Sequence, residues 1–473
     1  MLWLPPEYSD APSFATHATV LGPFVMGKKS RFHHGALSIL GLLTMAGVCA
    51  QWQSFSQSYN LLTTVAGQGG NCSSDVNGWL KEYEAISAVR ADLSSPHMAM
   101  ADSMGNIYIA DKDTHAIRKI DVKGIITTIA GTSAMGDGQD GPANARALYS
   151  PNGVWVNKKG EFYILDLMNY KIKKVDTAGN MTTVIHDTAG IFTGRGLWVS
   201  QNEDTIWYAS GSEIKMWTKA GGMVIYASGF SGLGNIVQDR NGCIVATDRP
   251  ANAVYRIDGQ GNKAKIAGND ETTGGGDGFP ALQTAFYGVR GVWFLKDNTY
   301  FLGTHEGSQV WYIDSGGIAH LFLEGRSGDK NHSGDNENYR TPGYKISEVR
   351  SVTVDYQGNV IVAENDCGYI RRIEKRNAGV ANGCVTPHGI SILAFSNPLS
   401  GSIRFTVTLS FPGKTRVRIY NQRGQMVDVP MPSTRATAGR EIHWQSRRLP
   451  CGVYSVILRS GKFSVSQKCV LLY

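Results

Sequence analysis

Arginine and histidine side chains recur at one position of a repeated segment, and they are the residues of this sequence best suited to hold a ligand. In chain order that position is occupied by His97, Asn152, Arg195, Gly234, Arg290 and Arg350. If the fold brings them together, three arginines and a histidine form a positive funnel for a carboxylate, sulfate or phosphate, because arginine presents a planar fork of donors. The alternative is that each arginine pairs with an acid of a neighbouring repeat and only connects the repeats.

A second set of polar residues lies where an apolar run ends in each repeat. Its members are Asp111 and His115, Asp166 and Asn169, Asp248 and Arg249, His305 and Glu306, and residues 364 to 366. We expect the acids to be structural, since an Asp at a turn accepts backbone N–H groups. His115 and His305 are candidate ligand-binding residues on the same face as the arginines.

The elements that position these residues are short strands. Segments 105–121, 160–176, 242–258 and 358–374 share a frame in which an apolar run ends in an acid, followed by an apolar residue six positions later and a basic one at plus eight. Each full unit contains four short strands at a spacing of roughly 40 to 60 residues, which is typical of a β-propeller blade. Six units begin near Ser94, Ser150, Gly194, Gly232, Gly288 and Glu348.

The sixth unit stops after its third strand, whereas "LLTTVAG" at 61–67 is a fourth strand with no unit before it. We expect this strand to complete the last blade, so that the ring closes without an open sheet edge. The sequence therefore predicts an all-β chain: a six-bladed β-propeller at 51–380, a linker at 381–395 and a small antiparallel β-sandwich at 396–473.

The blade frame, together with Gly-rich linkers such as "AGTSAMGDGQDGPANARALYSPNGV", resembles the NHL-repeat propellers over about residues 59–376. The resemblance implies the propeller fold but no single function, because propellers serve in binding, catalysis and scaffolding alike. We expect a recognition module for a protein, peptide or glycan ligand and favour this over an enzyme.

The alternative is a secreted propeller lyase or lactonase with a metal at the channel mouth. Some NHL-type propellers are lyases that use zinc, and the candidate ligands for such an ion are His97, His115 and His305. A lactonase-like site would use Glu364, Asp248 and Asn152 around a divalent ion. Because no compact two-histidine motif is present, we expect no metal ligands and no cofactor, with zinc or calcium left open. The "GDGQDG" loop at 136–141 is interpreted as a turn.

Three tryptophans, Trp155, Trp198 and Trp293, occupy the same place in the innermost strands of the second, third and fifth units. Such a set could line a sugar site. A repeated position inside an inner strand is more typical of packing between blades, so we expect core residues.

The N-terminal region has the order of a secretory signal. The basic segment "KKSR" at 28–31 precedes the apolar run "ALSILGLLTMAGV" and then "CAQ". We expect a signal at about 26–50 with cleavage after Ala50, and interpret the first 25 residues as an extension that is not translated. The alternative is a lipoprotein anchored at Cys49, although Val48 stands where a small residue is preferred.

The C-terminal segment resembles the sorting domain of the type IX secretion pathway (Por-type). The matching features are Asn397-Pro398, "VRIYNQRGQMV", Trp444, "GVYSVIL" and Lys468. The resemblance implies that the secretion machinery is a partner and that the protein is secreted or displayed on the surface of a Gram-negative bacterium.

The positive charge of the chain is concentrated in this tail. Residues 388–473 contain 12 Lys and Arg but 2 Asp and Glu, whereas residues 51–387 contain 31 and 35. The repeat region therefore lacks the basic stripe expected of a nucleic-acid-binding protein. We expect a monomer that does not bind nucleic acid.

Export to an oxidising compartment makes disulfides possible among the six cysteines that remain after signal removal. Cys451 and Cys469 flank a hairpin turn at Ser460-Gly461 and are expected to form a bridge. A second bridge is expected between Cys72, after the closing strand, and Cys367, on the turn of the blade that this strand completes.

Overall fold

The computed structural model of this chain describes residues 52–70, 76–326 and 335–376, and eight strands with a few flanking residues between 390 and 472. The expected signal segment, 1–50, lies outside the described residues. Strands dominate the remainder, so the expectation of an all-β chain built from repeated antiparallel sheets is confirmed. Among the described residues no helix is long and apolar enough to cross a membrane.

Six antiparallel sheets follow one another between residues 59 and 375, and their strands are given from the innermost one outward. Sheet 1 contains Pro96–Ala101, Ile107–Asp111, Ala116–Ile120, Ile125–Ala130 and the edge strand Ile86–Ser87. Sheet 2 contains Pro151–Val156, Phe162–Asp166, Lys171–Val175, Asn180–His186 and the edge strand Gly141–Pro142. Sheet 3 contains Leu197–Val199, Thr205–Ser210, Glu213–Thr218 and Gly222–Ala227.

The other three sheets repeat this order. Sheet 4 contains Leu233–Gln238, Ile244–Asp248, Ala253–Ile257 and Lys263–Ala267. Sheet 5 contains Val289–Phe294, Tyr300–Thr304, Gln309–Ile313 and Ala319–Leu323. Sheet 6 contains Val349–Val354, Val360–Glu364, Tyr369–Lys375, Tyr59–Ala66 and the edge strand Glu337–Asn338. Helical structure in the described part consists of residues 52–57 and the 3₁₀ turns Lys81–Tyr83, Ala88–Arg90, Lys112–Thr114, Ala143–Ala145, Leu167–Asn169 and Ala281–Gln283.

The innermost strands of the six sheets contact one another in a closed ring. Each contacts the innermost strand of the next sheet, and that of sheet 6 contacts that of sheet 1. The N-terminal strand Tyr59–Ala66 is the fourth strand of sheet 6 and pairs antiparallel with Tyr369–Lys375. Its Leu62 is fully buried in an apolar cluster that includes Ile373. Sheet 6 therefore joins the two ends of the repeat region.

A buried acid fixes the start of the innermost strand in four of the sheets. The backbone N–H groups of Ser94 and Tyr149 donate to Asp111 and Asp166, each at 2.7 Å. Those of Gly232 and Ser347 donate to Asp248 and Glu364 in the same way, at 2.9 and 2.8 Å. Burial raises the pKa of Asp111 and of Asp166 to about 6.

A buried base stands seven positions after the acid, one position earlier than the basic residue of the sequence frame. Arg118 is fully buried with its Nε 3.5 Å from Asp111, and Arg371 lies 3.7 Å from Glu364. Because side chains alternate along a strand, the residue at plus eight, such as Lys119, lies on the other face. The base that contacts the acid is thus a feature that the frame did not identify.

The three tryptophans contact one another inside the ring. The ring centroids of Trp155 and Trp198 are 6.3 Å apart, and those of Trp198 and Trp293 are 5.9 Å apart. Since sheet 4 separates the strands of Trp198 and Trp293 in chain order, the second contact joins sheets that are not consecutive. The tryptophans are packing residues that meet across the ring rather than only between adjacent sheets.

The C-terminal strands form two further sheets. One is antiparallel, in the order Ile390–Ala394, Ser402–Leu409 and Arg440–Gln445. The other has the order Leu399–Ser400, Phe463–Leu472, Gly452–Ser460, Gly413–Asn421 and Met426–Ala436, and its first pair is parallel. The strand Ile390–Ala394 lies within the segment expected to be a linker, so strand structure begins earlier than the sequence suggested.

The cysteines are only partly described. Cys367 is disulfide-bonded, whereas Cys243 is a free thiol. The expected partner of Cys367, Cys72, lies outside the described residues, as does Cys451. In the hairpin of the tail, Tyr454 stands opposite Cys469. Both pairings therefore stay predictions.

The closing strand offers a matched pair of leucines for a stability test. We expect Leu62→Ala to lower the free energy of unfolding by about 2–5 kcal/mol, because it opens a cavity in a packed core. Leu61→Ala, at the partly exposed neighbouring position, should cost much less. Chemical denaturation measures both, and equal losses would contradict the role of Leu62 in closure.

The disulfides can be tested by non-reducing peptide mapping of the exported protein. We expect peptides that join Cys72 to Cys367 and Cys451 to Cys469, with Cys243 alkylated as the internal control for a free thiol. Recovery of Cys451 and Cys469 both as alkylated thiols would remove the bridge in the tail.

Candidate functional site

In four of the six sheets the innermost strand begins with a bulge that contains a predicted ligand-binding residue, whereas Arg195 precedes the innermost strand of sheet 3. Register shifts occur between Pro96 and Met98, Pro151 and Gly153, Val289 and Gly291, and Val349 and Ser351. Each shift contains one residue of the predicted set, and a bulge turns such a side chain out of the regular alternation of the strand. We define the mouth as the end of the ring formed by His97, Asn152, Arg195, Arg290 and Arg350.

One group of contacts at the mouth joins sheets 1 and 2 to the segment that enters sheet 3. The side-chain amide of Asn152 donates to the carbonyl of Gly194 at 2.6 Å, and its oxygen contacts His97 Nδ1. Arg195 Nε lies 3.4 Å from the same ring nitrogen. Burial, then the charges of Arg195 and Arg350, hold the pKa of His97 well below its ordinary value. His97 is therefore neutral at physiological pH.

A second group of contacts joins sheets 4, 5 and 6 by alternating charges. Arg350 donates to Glu348 at 2.7 Å, and the other oxygen of Glu348 contacts His305 Nε2. His305 Nδ1 lies 3.2 Å from Glu306, which accepts from Arg249 Nε at 2.8 Å. The charged side chains of this series, which come from neighbouring sheets, thus neutralise one another.

The pKa values of the charged side chains in this series follow from their contacts. Burial alone would lower the pKa of His305, but hydrogen bonds and charges of Glu306 and Glu348 raise it. Burial would raise the pKa of Glu306, whereas His305 and Arg249 lower it to about 2. Glu306 is therefore ionised across the physiological range.

Two arginines of the mouth have no acid partner among the described residues. Arg290 is 4% exposed, and its Nε and Nη1 lack a hydrogen-bond acceptor. Arg195 forms no ion pair within the part of the chain that the structure describes. Burial first, then the nearby charges of Arg350 and Arg249, lower the pKa of Arg195 to about 9. The mouth thus retains two guanidinium groups whose charge is not neutralised by a contacting acid.

The glycine at 288 is required by this arrangement. It has a φ of +67°, and an added Cβ would collide with the carboxylate of Glu306. Its N–H donates to Asn252 at 2.7 Å. A side chain there would displace Glu306 from between His305 and Arg249.

His115 lies in a different environment from the rest of the predicted set. It ends the turn Lys112–Thr114 with a left-handed backbone, and its Nδ1 accepts from the backbone N–H of Ser150 at 3.1 Å. Its ring packs edge-on against Tyr149. These contacts assign it to the connection between sheets 1 and 2.

The set of predicted ligand-binding residues did not include Arg249, Glu306 and Glu348. The signal for the first two was present, since they directly follow the second strand of their sheets. Glu348 stands two positions before Arg350. Its role depends on a contact with His305, which the spacing of residues in the sequence does not predict.

The candidate metal ligands do not converge. Among the described residues no three His, Cys, Asp or Glu side chains form a group that could hold a metal ion. Asp137 contacts Lys171 at 2.7 Å and Asp140 accepts from Thr183 at 2.8 Å, so the acids of the 136–141 loop contact strands of sheet 2.

Comparisons with known proteins show the fold. No protein-family model matches the sequence, and no curated protein sequence matches it significantly. A protein of unknown function from Bacteroides thetaiotaomicron VPI-5482 superimposes with a TM-score of 0.52 at 15% identity, over 66% of this chain and 75% of the other. The fold is a β-propeller.

Two further solved structures resemble this propeller. An auxiliary nutrient binding protein from the same bacterium has a TM-score of 0.52 at 11% identity and covers 67% of this chain and 77% of its own. One from Bacteroides ovatus ATCC 8483 has a TM-score of 0.50 at 15% identity, with 67% and 76% covered. At these identities the similarity concerns the fold alone.

The Glu306–His305 contact predicts a pH-dependent stability. The raised pKa of His305 means that its contribution is fully present below the ordinary value of 6.5 and is lost as the pH rises through the folded-state value. Glu306→Gln should therefore lower the thermal midpoint more at pH 6 than at pH 9. Glu324→Gln, at an exposed position, is the control, and an equal loss at both pH values would contradict the contact.

Proposed function

We propose that this chain is a six-bladed β-propeller, exported to the cell surface or beyond it, that binds an anionic group of a peptide or glycan at the mouth. The observation that carries the proposal is the pair of arginines, Arg195 and Arg290, that have no acid partner. The binding role is that of a recognition module and not of an enzyme.

Uncompensated charge at this depth is costly. Removal of a cation from water is unfavourable unless an opposite charge or a set of acceptors replaces the water. Arg290 has two enclosed N–H groups without an acceptor, and a bound oxyanion would supply one. The planar guanidinium fork matches a carboxylate, sulfate or phosphate in two parallel hydrogen bonds.

We expect the arginines either to bind a ligand or to pair with acids of neighbouring repeats, and the two interpretations apply to different arginines. Arg350 pairs with Glu348, and Arg249 pairs with Glu306, so these arginines connect sheets. Arg195 and Arg290 lack such partners and are the ones that we assign to the ligand. The acids Glu306 and Glu348 pair within the series of alternating charges, and positive charge therefore remains in excess at the mouth.

The names of two similar structures favour the binding role in this proposal. Two structures of the same fold are those of proteins named auxiliary nutrient binding proteins from Bacteroides. We infer a comparable role here, together with export through a type IX-like route on the basis of the tail's resemblance to sorting domains. A metal-dependent lyase or lactonase would need grouped metal ligands, and the described residues contain no such group.

Substitution of single arginines separates binding from stability. Arg195→Gln and Arg290→Gln should each weaken binding of oligogalacturonate or poly-L-glutamate by roughly tenfold or more, since a charged hydrogen bond contributes about 1.5–3 kcal/mol. Neither should lower the thermal midpoint, because each removes an uncompensated charge. Arg350→Gln should lower the thermal midpoint, because Glu348 loses one of its two charged partners.

Affinity and thermal midpoint are measured on the same preparations, with the exposed Arg90→Gln as the control. Binding should also weaken with added salt, as expected for an electrostatic contact. Variants at Arg195 and Arg290 that melt lower and bind both polyanions normally would overturn the proposed function.

A further inference from the structure

The tautomer of His97 follows from its neighbour. The amide nitrogen of Asn152 donates to the carbonyl of Gly194, so the group that Asn152 turns toward His97 is its oxygen. An amide oxygen only accepts, and therefore His97 Nδ1 must carry the hydrogen. In a neutral imidazole the other nitrogen, Nε2, then holds the free lone pair.

This assignment also affects Arg195. Its Nε is 3.4 Å from His97 Nδ1, but a protonated Nδ1 has no lone pair to offer. Arg195 thus keeps all its donors for another acceptor. No described residue bonds to His97 Nε2 either. The mouth therefore combines free guanidinium donors with one neutral, oriented acceptor.

We propose that the ligand group at the mouth is an acidic saccharide, in which an oxyanion bound by Arg195 lies beside a hydroxyl that donates to His97 Nε2. The inference rests on the proposed function and deepens it. A uronic acid or a sulfated sugar presents an oxyanion and a hydroxyl on neighbouring carbons of one rigid ring. The carboxylate of an Asp or Glu side chain has no hydroxyl beside it, so an acidic peptide would leave the acceptor unused.

Asn152 is a positioning residue in this arrangement. It contacts no ligand but fixes which nitrogen of His97 accepts. Burial, together with the neighbouring charges of Arg195 and Arg350, holds the pKa of His97 well below its ordinary value, which favours the unprotonated imidazole that can accept.

The test compares small probes that carry an anionic group, hydroxyl groups or both. Glucuronate, galacturonate and glucose 3-sulfate carry both groups, cyclohexanecarboxylate carries the anion alone, and glucose carries hydroxyls alone. N-acetyl-glutamate amide represents an acidic peptide. We expect the wild-type protein to bind at least one of the acidic sugars about tenfold or more tightly than the other three probes in calorimetry or NMR titration.

The variant His97→Phe keeps the ring volume and removes the lone pair. It should bind that acidic sugar no better than cyclohexanecarboxylate, while the exposed His186→Phe behaves as wild type. Arg195→Gln should weaken the sugar and cyclohexanecarboxylate alike. Equal wild-type affinity for sugar acid and cyclohexanecarboxylate, tighter binding of the glutamate probe, or binding of none of the acidic sugars would overturn the inference.

A measurement on the wild-type protein tests the inference even if the His97→Phe variant does not fold. The ¹⁵N resonance of His97 Nε2 should be that of an unprotonated nitrogen and should shift with the acidic sugar but not with cyclohexanecarboxylate. A protonated Nε2 in the free protein would also overturn the inference. The proposed function fails separately, if Arg195→Gln leaves the affinity for both oligogalacturonate and poly-L-glutamate unchanged.

Discussion

Three residues of the mouth, His97, Asn152 and Arg350, depend on one repeated hydrogen bond, from the backbone N–H ahead of an innermost strand to a buried acid at the end of the second strand. In sheets 1, 2, 4 and 6 this acid is 2% exposed or less. It fixes the level at which the innermost strand begins and therefore the level of the bulge that follows it. Because the innermost strands form a closed ring, equal levels bring the bulged residues of different sheets to the same end.

The strict repetition of the backbone contrasts with the variety of the side chains that it presents. Sheet 5 has Thr304 where sheets 1, 2, 4 and 6 have the acid, and there Glu306 folds over Gly288 and contacts both His305 and Arg249. The departure from the repeat thus creates the centre of the series of alternating charges. Loss of one structural acid is accompanied by a polar turn that connects three sheets.

The sequence predicted the backbone of this fold better than the pairing of its side chains. Strand positions follow from a period-two pattern and a fixed repeat, which are local properties. Equivalence between repeats placed Arg195, Arg290 and Arg350 together, but it could not distinguish them. Whether an arginine pairs with an acid depends on its surroundings: Glu348 contacts Arg350, whereas no acid in the described part of the chain contacts Arg195.

The alternation of side chains along a strand and the local backbone conformation account for the other differences between the sequence-based predictions and the structure. The buried base lies at plus seven because the third strand turns that residue toward the acid, and a count of eight selects the opposite face. His115 shares its repeat position and its left-handed conformation with Asn252, and both accept from the backbone N–H of a residue that precedes the next innermost strand. Such orientations are set by the turn and its packing, which a single sequence does not specify.

The distribution of charge around the mouth implies a direction for the ligand. Arg249, Glu306, His305, Glu348 and Arg350 neutralise one another on the side of sheets 4 to 6. On the side of sheets 1 to 3, His97 is neutral and Arg195 is uncompensated, and Arg290 adds its enclosed donors from sheet 5. A symmetric anion at the centre would contact both sides equally. The asymmetry instead favours a ligand whose oxyanion lies toward Arg195, with its neutral polar groups beside His97.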